Sequence, residues 1–238
     1  MKLSTIAKTS LALGILTTGV MTTYAQSADA ANLSNKFQNE GINILSHDIQ
    51  NLLAYYKSPH WNLSNVSGNR VDDKVNVIDR SVFTEVTLAG KDKENLKNKN
   101  LSDIDVFVVK EGTSKDAPNR TIGSITKPNE HKYNDYVVSP QLSIETTGDN
   151  FKVSESLENF KIYKEEISLK ELDFKLRQTL IEKNRLYTNG KMNGKIVVKM
   201  QNKDENDKYT FELDKKLQDH RMGDVIDSRK IEKITVEL

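Results

Sequence analysis

Lys208, Thr210 and Glu212 alternate along the chain with Tyr209, Phe211 and Leu213. Side chains on a strand point alternately to its two faces. If the apolar three enter a core, the polar three share the outer face. Arg221 and Asp224 follow closely and could return beside them. An arginine clamps a carboxylate with two parallel hydrogen bonds. Glu212 and Asp224 accept from hydroxyls, Thr210 can do either, and Lys208 adds a charge and a donor. The set suits a sialylated glycan. The same residues also admit a purely structural reading, in which Arg221 and Glu212 form an ion pair inside the protein.

Other chemistries find little support. The sequence has no Gly-x-Ser-x-Gly, no His-Glu-x-x-His and no phosphate-binding loop. The four histidines, His47, His60, His131 and His220, are scattered. His220 and Asp224 have i,i+4 spacing without an evident third ligand, and structural zinc needs four. Asp204 to Asp207 lacks the Gly and distal Glu of a calcium loop. We expect no enzyme, no metal and no cofactor. Tyr55, Tyr56 and Trp61 are read as packing residues rather than interface anchors.

The elements that must position the site follow from periodicity. Asp48 to Lys57 is a short helix, with Asp48 as its cap and Ser58-Pro59 as its stop. Val71–Val77, Val82–Leu88, Ile104–Val109, Thr121–Thr126 and Tyr136–Leu142 read as strands separated by turn residues, which suggests a small five-stranded barrel. Residues 90–100 form a charged connector, and a domain boundary is placed near 146–150. Ser168 to Leu186 is the strongest helix, with Ser168 and Glu171 as a capping box. Leu169, Leu172, Leu176 and Leu180 share one face. Phe174 and Ile181 lie roughly 120–140° away at 100° per residue. A helix apolar on two sides is covered on two sides. Lys195–Met200, Lys208–Leu213 and Ile231–Leu238 are strands, the first two joined by a polar turn, Lys203-Asp-Glu-Asn-Asp207. A helix laid across such a sheet is a β-grasp arrangement.

The first thirty residues read as a signal peptide. Lys2 and Lys8 open it, Ser10 to Val20 carries no charge, and Ala28-Asp-Ala30 presents small residues to a peptidase. The apolar run falls short of the ~20 residues a membrane span needs. Export places the protein outside the cell and predicts no membrane insertion. Residues 31–238 divide into 31–150, an arm and barrel, and 151–238, the β-grasp domain. The whole chain carries a formal charge of +1, and removing residues 1–30 leaves a neutral mature part. That balance argues against bulk capture of nucleic acid. Without cysteine, disulfides and thiol chemistry are excluded, so stability rests on buried apolar area.

Lys164, Ile167, Leu172-Asp173, Arg177, Leu180 and Leu186-Tyr187 resemble the long signature of the staphylococcal and streptococcal superantigen family. Glu165-Glu-Ile-Ser-Leu-Lys-Glu-Leu-Asp-Phe-Lys-Leu-Arg177, Tyr209 to Gln218 and Arg221 to Ile226 resemble its superantigen-like branch in particular. Asp105 to Val109 and Ile122-Gly-Ser-Ile-Thr126 resemble a weaker motif, with Ser124 where a second Gly is usual. The resemblance implies an α+β, mostly β protein: an N-terminal OB-type five-stranded barrel, then a β-grasp domain with a central helix. It implies a secreted, non-enzymatic immune-evasion protein that binds host immune glycoproteins or receptors. Some members bind sialylated Lewis-type glycans through the motif matched here by Thr210, Glu212, Arg221, Asp224 and, less closely, Lys208. Glycan-binding members tend to have a short glycine turn where this chain has the acidic Lys203–Asp207 turn. The alternative function is glycan-independent inhibition of an immunoglobulin, complement component or innate receptor. A true superantigen is disfavoured, because Thr235-Val-Glu237 stands in place of a zinc-binding His-x-Asp.

Overall fold

The structure is a computed structural model that describes residues 46–112, 117–148, 151–188, 193–201, 204 and 206–238. The expected signal peptide, its cleavage point and the arm at 31–45 lie outside the described residues. Helix α1, His47–Tyr56, begins where Ser46 Oγ accepts from the Ile49 N–H at 3.4 Å. Ser46 is therefore the cap. Asp48, expected in that role, sits in the first turn, where its charge favours the helix dipole.

The first sheet contains β1 (His60–Val71), β2 (Lys74–Asp79), β3 (Val82–Thr87), β4 (Asn100–Val109), β5 (Asn119–Ile122) and β6 (Ile125–Thr126). Their order is β5-β3-β2-β1-β4-β6. The run Thr121–Thr126, expected as one strand, is broken at Gly123 and Ser124, which take φ of 59° and 71°. The break lets β5 pair with β3 and β6 with β4, so the sheet curls as an OB-type barrel requires. A serine at positive φ is strained where glycine would not be. Its buried Oγ offsets this by sharing a 2.5 Å hydrogen bond with Ser168 Oγ.

One strand lies where none was expected, and two expected strands differ from the structure. β1 escaped notice because its outward positions include Asn62, Ser64, Asn65, Ser67 and Asn69, residues that read as turn formers. Val71–Val77 is instead the hairpin joining β1 to β2. Tyr136–Leu142 is not a barrel strand: Val138 makes an isolated bridge to Ile162, and the last two residues begin β7 (Gln141–Gly148).

The second sheet adds β8 (Phe151–Ser156), β10 (Lys195–Met200), β11 (Lys208–Glu212) and β13 (Ile231–Glu237), in the order β11-β10-β13-β7-β8. Only β13 and β7 run parallel, as in a β-grasp sheet. Because β7 pairs with β13, this sheet begins at Gln141. The expected division at 150/151 assigns β7 to the first domain, whereas local turn signals do not reveal which sheet a strand joins. A small ladder joins β9 (Glu166–Ser168) to β12 (Val225–Asp227).

Helix α3, Leu169–Glu182, lies between the two sheets. Ser168 Oγ accepts from the Glu171 N–H at 3.0 Å, the forward half of the expected capping box. The Glu171 carboxylate instead accepts from Lys164 and Lys175. Leu169, Leu172, Leu176 and Leu180 are buried in the β-grasp core. Phe174 turns the other way and packs its ring within 6 Å of Tyr55, Tyr56, His60 and Phe107. One core cluster therefore runs from α1 and β4 through α3 into the second sheet, while the barrel keeps a second core of its own.

Polar groups reinforce this joint. Lys170 is buried, and its Nζ donates to Glu111 Oε2 at 2.8 Å, Thr121 Oγ1 at 2.7 Å and Ile122 O at 2.8 Å. Burial pushes Lys170 down to about 8. Glu111, despite its own burial, is drawn below the usual carboxylate range by Lys170 and Lys216. The segment from His220 to Asp224 is pressed against the barrel: Ser124 N donates to Met222 O at 3.1 Å. A Cβ on Gly90 would overlap His220 O, and one on Gly223 would overlap Ala89 O and Asp92 Oδ2. Asp92 lies in the short helix α2, Asp92–Asn95. It is 3% exposed although its stretch was expected to be a solvated connector, and its Oδ2 has no hydrogen-bond partner among the described residues.

Two outcomes follow from the joint. Lys170→Ala removes one of the two cations on the Glu111 carboxylate, which keeps Lys216 at 3.1 Å, and should cost about 2–3 kcal/mol in denaturant unfolding; a loss below ~1 kcal/mol would show that the pair holds nothing together. Asp92 is pushed up to about 8 by burial and by the Asp224 carboxylate. A carboxyl raised on folding takes up protons, so its contribution is lost as pH climbs from its unfolded value of about 4 to about 8. Asp92→Asn should therefore raise the thermal midpoint near pH ~8.5, with the gain vanishing towards pH ~4. A gain that does not change with pH would contradict a protonated Asp92.

Candidate functional site

β11 is an edge strand of the β-grasp sheet, and its register determines what it presents. Leu213 N donates to Gly194 O, and Met200 N donates to Asp207 O. Hydrogen-bonded pairs alternate along an antiparallel ladder. Tyr209 and Phe211 thus direct their backbone groups to β10, while Lys208, Thr210 and Glu212 direct theirs to the open edge. The side chains alternate as expected: Phe211 and Leu213 are buried and Tyr209 half-buried, whereas Lys208 and Glu212 are exposed and Thr210 half-exposed. Those three lie on the sheet face opposite α3.

Arg221 ends a 3-10 turn, Asp219–Arg221, and lies along the open edge. Its Nη1 donates to Thr210 O at 2.9 Å and to Gln218 Oε1 at 3.2 Å, and its guanidinium sits 5.7 Å from the Phe211 ring centroid. Nε and Nη2 make no protein hydrogen bond among the described residues. Glu212 pairs with Lys215, so the alternative of an Arg221–Glu212 ion pair is not formed. Gln218, which orients Arg221, went unremarked in the sequence, although its i,i+3 spacing on a short turn is a usable signal.

Asp224 is placed differently. Its backbone O accepts from Leu169 N at 2.8 Å, at the start of α3. Its Oδ1 lies 3.7 Å from where a Cβ of Gly90 would sit, beside Asp92. The structure therefore brings Arg221 to Thr210 and turns Asp224 towards the barrel. Lys208 and Glu212 lie at opposite ends of β11. Lys208 lines a depression with Lys199 and Lys233, and Glu212 lines another with Lys195 and Lys215. Of the acidic turn, Lys203 and Glu205 lie outside the described residues. Asp204 Oδ1 accepts from the Asn206 N–H at 2.8 Å, so this carboxylate is engaged in holding the turn.

Among the described residues, metal-ligating atoms come together where Glu130, His131 and Glu165 place theirs within 4.8 Å of one another. Glu165 Oε1 accepts from Tyr133 Oη at 2.8 Å, His131 Nδ1 at 2.9 Å and His131 N at 3.1 Å. Arg229 is 3.6 Å from Oε2. Burial would raise this carboxyl, but these hydrogen bonds bring it down to about 2. Its lone pairs already hold the loop together.

Comparison with known proteins agrees with this architecture. Residues 50–129 match the staphylococcal superantigen-like OB-fold domain, and residues 140–238 match the staphylococcal/streptococcal toxin β-grasp domain. The chain is 44% identical over 238 residues to "Superantigen-like protein 11" of Staphylococcus aureus (strain Newman), covering 100% of both. The crystal structure of SET3, a superantigen-like protein from Staphylococcus aureus, is similar with a TM-score of 0.73 at 40% identity, covering 81% of this chain and 96% of that one. The staphylococcal superantigen-like protein SSL5 complexed with sialyl Lewis X matches with a TM-score of 0.71 at 40% identity, covering 80% and 99%. A curled OB-type sheet, a β-grasp sheet and family matches over both show that the chain belongs to the staphylococcal superantigen-like family of non-enzymatic, toxin-like binding proteins.

Proposed function

We propose that this protein is a secreted immune-evasion factor that binds sialylated glycans on leukocyte glycoproteins at the open edge of β11. One observation carries the reading: Arg221 is anchored through Nη1 to Thr210 O, which leaves the Nε–Nη2 edge of its guanidinium without a protein partner among the described residues. That edge is the fork that grips a carboxylate by two parallel hydrogen bonds. The outward Thr210 N–H adds a neighbouring backbone donor, and the Thr210 hydroxyl lies on the adjoining face. Asp224 serves by holding the segment against the barrel, and Glu212 by accepting from a sugar hydroxyl further along the strand. The complex of SSL5 with sialyl Lewis X supports the ligand class.

Protein contact without glycan is the second reading. It draws on β8, an edge strand that exposes Phe151 and Val153. Capture of leukocyte glycoproteins separates the two, because sialidase treatment abolishes only the first.

Single sugar contacts are weak, so avidity on a glycoprotein surface contributes to capture. On immobilised sialyl Lewis X, Arg221→Ala should weaken binding more than ~10-fold, equivalent to about 1.4 kcal/mol. Arg221→Lys should lose most of the same affinity, because a lysine has no fork. Wild-type binding by either variant would exclude the edge as the site.

A further inference from the structure

The face of the β-grasp sheet away from α3 carries an arrangement that the Arg221 edge does not use. The strand register aligns Lys208, Lys199 and Lys233 as direct neighbours on β11, β10 and β13. Adjacent strands lie ~4.8 Å apart, so the three cations cover roughly 10 Å. Like charges directly opposite one another destabilise a sheet. Lys199 pairs with Glu232 at 3.0 Å, but Lys208 and Lys233 have no carboxylate partner among the described residues. The acids on the same face are occupied: Glu237 pairs with Lys195 at 3.0 Å, and Glu145 with Lys152 at 2.8 Å. The lysines line a depression of about 260 Å³, and Thr235 lies in it beside them.

The rows next to the lysines narrow the ligand chemistry. Thr210, Val197, Thr235 and Ser143 form the second row, and Glu212, Lys195, Glu237 and Glu145 the third. The face thus offers point cations, then hydroxyls, then carboxylates. No aromatic side chain lies on it among the described residues, so it has no platform on which nucleic-acid bases could stack. Lysines, unlike an arginine fork, suit a compact anion approached from several directions. Sugar hydroxyls match the second and third rows.

We propose that this face binds a sulfated polysaccharide, with its sulfate groups on Lys208, Lys199 and Lys233 and its hydroxyls over Thr235 and Thr210. The cations of this face are lysines rather than the Arg221 fork, and Thr210 borders both.

The test is fluorescence polarisation with a labelled heparin decasaccharide, its fully desulfated counterpart and a single-stranded DNA of equal length. The decasaccharide should bind, with affinity falling steeply as salt rises, because exposed charges are screened within ~8 Å at physiological ionic strength. Lys199→Ser/Lys233→Ser should bind at least ~10-fold more weakly, with a shallower salt dependence. Lys233→Gln alone gives a milder change with a smaller expected loss, and circular dichroism verifies that both variants fold. Arg221→Ala should keep full affinity for the decasaccharide, which separates failure of this site from failure of the sialic-acid edge. Equal binding of desulfated sugar, wild-type affinity in the double variant, or DNA binding as tight as heparin would each overturn the assignment.

Discussion

The buried guanidinium of Arg177 is the interaction on which the ordered site depends. Nε donates to Asp173 Oδ1 at 2.8 Å, Nη1 to Tyr187 Oη at 2.8 Å, Nη2 to Glu212 O at 2.8 Å, and Nη1 also to Leu213 O at 3.2 Å. Tyr56 Oη donates to the other oxygen of Asp173 at 2.6 Å, and the Tyr56 ring lies 4.6 Å from the guanidinium. Burial alone would push Arg177 down, but the Asp173 carboxylate holds it above its usual value. A buried charge survives only when its lone pairs and protons are satisfied, and this one is. Through it α1, α3, the Tyr187 turn and the end of β11 are held as one unit. The outward carbonyl of Glu212 is thereby taken, whereas that of Thr210 remains for Arg221.

The joint between barrel and β-grasp sheet follows the same logic with less margin. Lys170 and Glu111 satisfy each other across it, and Phe174 fills the apolar gap between the sheets. Glycine lets the backbone at Gly223 approach Ala89 so closely that no side chain fits. The cost appears at Asp92, whose buried carboxyl faces Asp224 with one oxygen unpartnered among the described residues. The segment that carries Arg221 is seated by these barrel contacts. The edge that carries Arg221 on one domain is therefore positioned by contacts with the other.

Two arrangements of cationic side chains lie side by side on the second sheet. At the edge, one arginine is fixed in orientation by Thr210 O and Gln218, which fits it to a planar carboxylate. On the face, three lysines are grouped by register and held by little else. A fixed orientation favours one planar group, and a row of point charges favours repeated anions. Glu237 and Glu145 pair with Lys195 and Lys152 outside that row, and Glu232 offsets only Lys199 within it.

Sequence periodicity alone determined the central helix, its two apolar faces, the alternation of β11 and the residue types able to grip an anion. Each of these depends on neighbours within a few positions, where backbone geometry is local. Ser168 as a cap and Phe174 on a second face were legible for that reason. The tertiary structure decided the strand order, the membership of β7 in the second sheet and the burial of Asp92. It also turned Asp224 to the barrel, gave Glu212 to Lys215 and set Lys199 between Lys208 and Lys233. These outcomes rest on pairings between segments distant in sequence, and strand partners are selected by the packing of the whole core rather than by any local pattern.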